Sequence, residues 1–131
     1  MNQKRHKTRL QRQIRSGALT VEFALTAPIL LLFLFAIVEF GRVQMIQHTL
    51  NNAVYEGARR GMAINSTEAK VRERVLAITT PSAVRNPAIT VSITPDVVTV
   101  SATASLNDNA LFSPMFFRDK SLNSTLSLNR R

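Results

Sequence analysis

The sequence predicts an α+β protein: a long N-terminal transmembrane helix continuing into an amphipathic helix, then a short helix and a small antiparallel sheet of about three strands. Three observations carry this. Phe23 to Val38, FALTAPILLLFLFAIV, contains no charge. Apolar residues then recur at spacings of three and four as far as Ala58, the period of a helix with one buried face. From Ile89 onward aliphatic residues alternate with Ser and Thr, the period of strands with one buried face. These signals divide the chain into a basic leader (1–17), a transmembrane and amphipathic long helix (18–62) and a small extracytoplasmic α+β domain (63–131).

A helix rises about 1.5 Å per residue and a bilayer core is about 30 Å thick, so about 20 apolar residues span it. The uncharged run reaches that length with its flanks from Ala18 to Phe40, which add only Glu22 and Glu39 as charges. Of 17 Lys and Arg, six precede it: Lys4, Arg5, Lys7, Arg9, Arg12 and Arg15. Basic residues on that side hold the N-terminus in the cytoplasm and send the remainder outward. The net charge of +9 lies mostly in this leader, so no nucleic-acid partner is expected of the folded part. Three readings of the segment compete. A secretory signal peptide has a shorter core and a small-x-small cleavage site, which Val38-Glu39-Phe40-Gly41-Arg42 does not supply. An uncleaved signal anchor is the second. The third depends on the junction at Gly17.

There the chain reads Arg15-Ser16-Gly17-Ala18-Leu19-Thr20-Val21-Glu22-Phe23. A glycine closes the basic leader, and a carboxylate follows inside an apolar stretch. An unpaired charge near a membrane costs about 2.5 kcal/mol or more, so Glu22 calls for a partner. Cleavage after Gly17 would make Ala18 the first residue and give it a free ammonium group. Glu22 of one subunit could then neutralise Ala18 of a staggered neighbour. Pairing within one helix, or a solvated Glu22 at the interface, are the alternatives. Glu39 marks the far end of the span, where a purely interfacial role predicts tolerance to substitution.

Gly17-Ala18-Leu19-Thr20-Val21-Glu22-Phe23-Ala24-Leu25-Thr26-Ala27-Pro28, followed by Glu39-Phe40-Gly41-Arg42, resembles the TadE-like pseudopilins of the tight-adherence (Flp, type IVc) pilus system. The resemblance covers roughly residues 15–62. It implies processing at Gly17 and Ala18, an assembly role for Glu22, an inner-membrane location and support of pilus assembly and adhesion. It also implies partners: a prepilin peptidase, other pilin or pseudopilin subunits, an inner-membrane assembly platform and a secretion ATPase acting through it, besides membrane lipid. Phe23, where major pilins of this system carry tyrosine, and the sizeable C-terminal region favour a minor subunit.

Along the rest of the chain, Pro28 removes a helical hydrogen bond, which membrane helices tolerate. Val43, Ile46, Leu50, Val54 and Ala58 form the apolar stripe, with Gln44, Gln47, Asn51 and Asn52 opposite. Gly57 and Gly61 weaken the helix end, and Gly61 is a candidate cap. His48 reads as solvated or packed on the helix face, and Tyr55 as a packing residue or an interhelical contact. Asn65-Ser66-Thr67-Glu68 starts a second helix, with Val71, Val75 and Ile78 inward, ending near Thr80-Pro81. Ile89, Val91 and Ile93 pair across a Thr94-Pro95-Asp96 turn with Val98, Val100, Ala102 and Ala104, and Leu122 to Leu128 is a third strand. The link from Asn107 to Lys120 reads as a loop whose Phe112, Phe116 and Phe117 plug the core, with contact to a partner as the alternative.

There is no cysteine, so thiolate chemistry and disulfides are excluded, and His6 and His48 make no metal cluster. The sequence contains no phosphate-cradling loop, nucleophile elbow, HExxH or calcium-spaced acidic cluster. Asp96, Asp108 and Asp119 fall in expected turns, where aspartate serves the backbone. The expectation is a protein without cofactor that is not an enzyme.

Overall fold

The computed structural model describes residues 3–82, 84–111 and 119–130. Its elements are α1 (Gln3–Gly61), α2 (Glu68–Thr79), β1 (Ala88–Ile93), β2 (Val97–Ser105), α3 (Leu106–Asn109) and β3 (Ser121–Asn129). The architecture is α+β, as the periodicities predict. Two compact units divide the chain, one ending at Val38 and the other beginning at Glu39.

In the first unit α1 is already helical at Gln3, ahead of the expected start at Ala18. The leader is rich in Lys, Arg and Gln, all good helix formers, and one glycine at position 17 costs only about 1 kcal/mol. The helix also runs through Pro28. The Thr26 hydroxyl donates back to the Glu22 and Phe23 carbonyls at 3.0 and 3.3 Å. Leu19, Phe23, Leu30, Leu32, Phe33 and Ile37 are each more than half exposed. The helix is long and apolar enough to cross a membrane, and none of its apolar window is buried in protein. A helix apolar on every side needs another apolar surface, protein or lipid, to cover it.

The second unit holds the core. Ile46, Leu50, Ala53, Val54 and Ala58 on α1 pack with Val71 and Val75 of α2, Ile89 of β1 and Val98, Val100, Ala102 and Ala104 of β2. Gln44, Asn51 and Asn52 on the opposite side of α1 are exposed, as are His48 and Tyr55. The period of 3.6 therefore reports the buried face correctly. Thr67 caps α2, its hydroxyl accepting from the Lys70 amide at 3.4 Å. Each fully buried Val or Leu contributes about 1.5–3 kcal/mol, so this cluster is the main stabilising term of the unit.

The sheet has order β1-β2-β3, antiparallel throughout. The turn at Thr94 closes as expected, with the Thr94 amide and hydroxyl both donating to the Val97 carbonyl at 2.9 and 2.8 Å. Register places Val98 opposite Leu128, Val100 opposite Leu126 and Ala104 opposite Leu122, which puts the aliphatic residues of all three strands on the core face. The other face carries hydroxyls. Thr99 meets Ser127 and Ser101 meets Thr125, each at 2.9 Å.

Two expectations change. Gly61 does not cap α1 in the left-handed conformation, because no glycine has positive φ. Gly57 and Gly61 are buried instead, one turn apart against α2 and β2. A Cβ on Gly57 would stand 2.6 Å from Val75 Cγ2, and one on Gly61 2.5 Å from Val98 Cγ1. The link after β2 is also not wholly loop, since Leu106–Asn109 forms one helical turn with Leu106 buried and its amide bonded to the Lys120 carbonyl at 2.9 Å. Phe112, Phe116 and Phe117 lie outside the described residues.

Gly57→Ala and Gly61→Ala should each lower stability. Overpacking costs about 1–3 kcal/mol, more than the helix propensity that alanine adds. Gly41→Ala, with nothing within 4 Å of its Cβ, should be neutral or slightly stabilising. Thermal unfolding of the detergent-solubilised protein, followed by circular dichroism, checks this. Equal midpoints for all three variants would refute the close-approach role.

Candidate functional site

The junction lies on α1 within the first unit. Gly17 is helical and open, with nothing within 4 Å of a Cβ placed there. Ala18 and Glu22 are both exposed. Four residues apart on a helix, they share one face. The ion pairs among the described residues are Glu56 with Arg59 at 3.9 Å and with Arg74 at 3.3 Å, so Glu22 has no ionic partner there. With the Gly17–Ala18 peptide intact, the Ala18 nitrogen is an amide without charge. Glu22 is therefore a surface carboxylate in an apolar stretch, open to a group brought from outside the chain.

A second cluster belongs to the other unit. Glu39 is only 4% exposed. Both its carboxylate oxygens accept from the Leu111 amide, at 3.1 and 3.2 Å. One turn along α1, the Arg42 guanidinium donates through Nε to the Asn109 carbonyl at 2.6 Å. The Asn109 side chain, itself buried, accepts from the Arg85 amide at 2.8 Å and donates to the Arg85 and Ser105 carbonyls at 3.1 and 2.8 Å. Asn109 thus ties α1, the segment leading into β1 and the end of β2 to one turn. The condition set for tolerance at Glu39, a purely interfacial role, is not met, because its carboxylate accepts from a backbone donor of the turn after α3. Glu39 and Arg42 were legible as i, i+3 neighbours on one helix face. Nothing local in the sequence says which distant backbone groups they meet.

Among the described residues no group of His, Asp and Glu could hold a metal ion. An open depression lined by Glu56, Arg59, Arg60, Ala63 and Arg74 is the surface expression of the Glu56 ion pairs.

Glu39→Ala should strand the Leu111 amide. A buried donor without a partner costs about 1–3 kcal/mol, so hydrogen exchange at Leu111 should quicken by about tenfold or more. Exchange at Val54, deep in the core, should change less. Exchange at Leu111 unaltered by the substitution would remove Glu39 from this role.

No curated protein and no solved structure matches the chain. A family model does: residues 17–59 match that of TadE-like protein. The matched segment starts at Gly17 and holds Ala18, Glu22, Glu39 and Arg42. Phe23, Pro28 and the apolar stripe of α1 as far as Ala58 fall within it too. Over residues 17–59 the long helix of this chain is therefore similar to the TadE-like family, as the Gly17 junction and the Glu39-Phe40-Gly41-Arg42 ending implied.

Proposed function

We propose that this chain is a minor pilin or pseudopilin of a tight-adherence pilus, anchored by α1 in the bacterial inner membrane and processed between Gly17 and Ala18 by prepilin peptidase. The carrying observation is the TadE-like match, which opens on the glycine of the junction and includes Glu22. The apolar surface of α1 supports the anchor. The basic leader supports a cytoplasmic N-terminus and an extracytoplasmic second unit. In this reading the protein is an assembly subunit without catalysis or cofactor. It engages the inner-membrane platform and other pilin-like subunits and so supports adhesion.

The mechanism follows from the charges. Cleavage converts the Ala18 amide nitrogen to an ammonium group at the start of the helix. Glu22 of a neighbouring subunit, one turn out of register, offsets the cost of both charges in an apolar surrounding. A carboxylate exposed on α1 with no ionic partner among the described residues supports that use. One observation favours a second reading, an uncleaved anchor that interacts without entering a filament: α1 is helical across Gly17, whereas a peptidase acts on locally opened chain.

Two experiments test the reading. The intact mass of protein extracted from membranes of a host with the peptidase should lack residues 1–17, and a bulky residue at position 17 should restore full length. Full-length wild type would leave the uncleaved anchor. Glu22→Ala and Glu22→Gln should still be inserted and cleaved but fail to support pili, since neither side chain neutralises an ammonium group. Normal pili by microscopy with both substitutions, in a strain without the wild-type copy, would remove Glu22 from assembly.

A further inference from the structure

We infer that the turn Asn109–Leu111 is a second membrane contact, an apolar foothold that rests in the bilayer interface beside the point where α1 leaves it. The inference rests on the reading of α1 as a membrane span. Glu39 is the first residue after the uncharged run that ends at Val38. Its carboxylate holds the Leu111 amide at 3.1 and 3.2 Å, and Arg42 holds the Asn109 carbonyl at 2.6 Å. The turn is therefore strapped to the first turn of α1 within the second unit, at the level where the span ends. Leu111 is 52% exposed and Phe40, next to Glu39, is 64% exposed. Two large apolar side chains thus stand open at the end of the unit nearest the bilayer.

The same strap explains why Glu39 is buried. A carboxylate at this depth is unfavourable unless hydrogen-bonded, and the Leu111 amide satisfies it without a counter-ion from the lipid. The occupant is apolar lipid rather than an anionic headgroup. Among the described residues around the turn, Arg42, Arg85 and Lys120 are matched by Glu39, Asp108 and Asp119, which leaves no net charge among them to select anionic lipid. Interfacial side chains reach about 5–10 Å into the headgroup and acyl boundary, a depth that Leu111 can occupy beside Phe40. The opposite end of the unit offers a reference. Ile64 is 89% exposed and follows the end of α1 at Gly61. The helical path from Glu39 to Gly61 is about 33 Å, so Ile64 lies at the end of the unit remote from Glu39.

The absence of cysteine allows single labels without background. Leu31→Cys, Leu111→Cys and Ile64→Cys are each introduced into the full chain, labelled with an environment-sensitive fluorophore and reconstituted in phosphatidylcholine vesicles. The vesicles carry a quencher either deep in the acyl chain or near the headgroup. Leu31→Cys should respond to the deep quencher. Leu111→Cys should be quenched several-fold more than Ile64→Cys by the shallow one, and adding phosphatidylglycerol should not change this ratio. Leu31→Cys quenched while Leu111→Cys matches Ile64→Cys would overturn the foothold and leave the span intact. A Leu31→Cys label that escapes quenching would overturn the span and the foothold with it. Quenching at Leu111 only when phosphatidylglycerol is present would overturn the apolar assignment.

Discussion

The second unit depends on the approach of α1 to α2 and β2 at Gly57 and Gly61. At both positions a single methyl group would collide with a valine on the facing element. That distance sets everything packed above it. With the helix this close, Ala53 and Ala58 fill the seam and Val71, Val75, Val98 and Val100 become fully buried. A unit of this size exposes much of its chain and cannot bury a deep core. Small residues at the seam compensate by removing gaps, since an interior is stable only at close-packed density.

One helix therefore carries two kinds of surface. Before Val38 its large apolar residues are exposed, and none of its apolar window is buried among the described residues. After Glu39 its apolar residues narrow to a stripe, and that stripe is the floor of the core. The changeover is marked by the two side chains that hold the Asn109–Leu111 turn. Glu39 and Arg42 belong to the TadE-like segment, whereas the backbone groups they bind come from beyond it. The family-matched helix and the unmatched domain are thereby joined by polar contacts as well as by packing.

Much of this was legible in the sequence because its cause is local. Period-two alternation found all three strands, and the register confirms that their aliphatic residues share a face. Thr67 was legible as a cap because capping acts within three residues. Gly57 and Gly61 were misread for the opposite reason. A glycine near a helix end signals a left-handed cap by local rules, but these two are required by side chains 10 to 43 residues away in Val71, Val75, Val98 and Val100. The partner of Glu39 was illegible for the same reason, since it lies 72 residues further on. Ala18 and Glu22 stand where the sequence puts them, on one exposed helical face. Their chemistry depends on a bond cleavage and a neighbour, which a sequence signals only through resemblance.

The sheet has a consequence of its own. β3 pairs with β2 over nine residues, from Ser105 opposite Ser121 to Val97 opposite Asn129, without a bulge. Its own sequence, SLNSTLSLN, has neither charge nor proline. Such an edge lacks the usual guards against pairing with another strand. β3 is also the last of the three strands to be synthesised, and the helix it covers is the first element made. Until β3 docks, Val98, Val100 and the stripe of α1 lack their final neighbours. Closure over so long a sequence separation is slow. The nascent domain therefore passes through an interval in which an adhesive strand and its unoccupied seat are both open, and during that interval crowding by identical chains is most damaging.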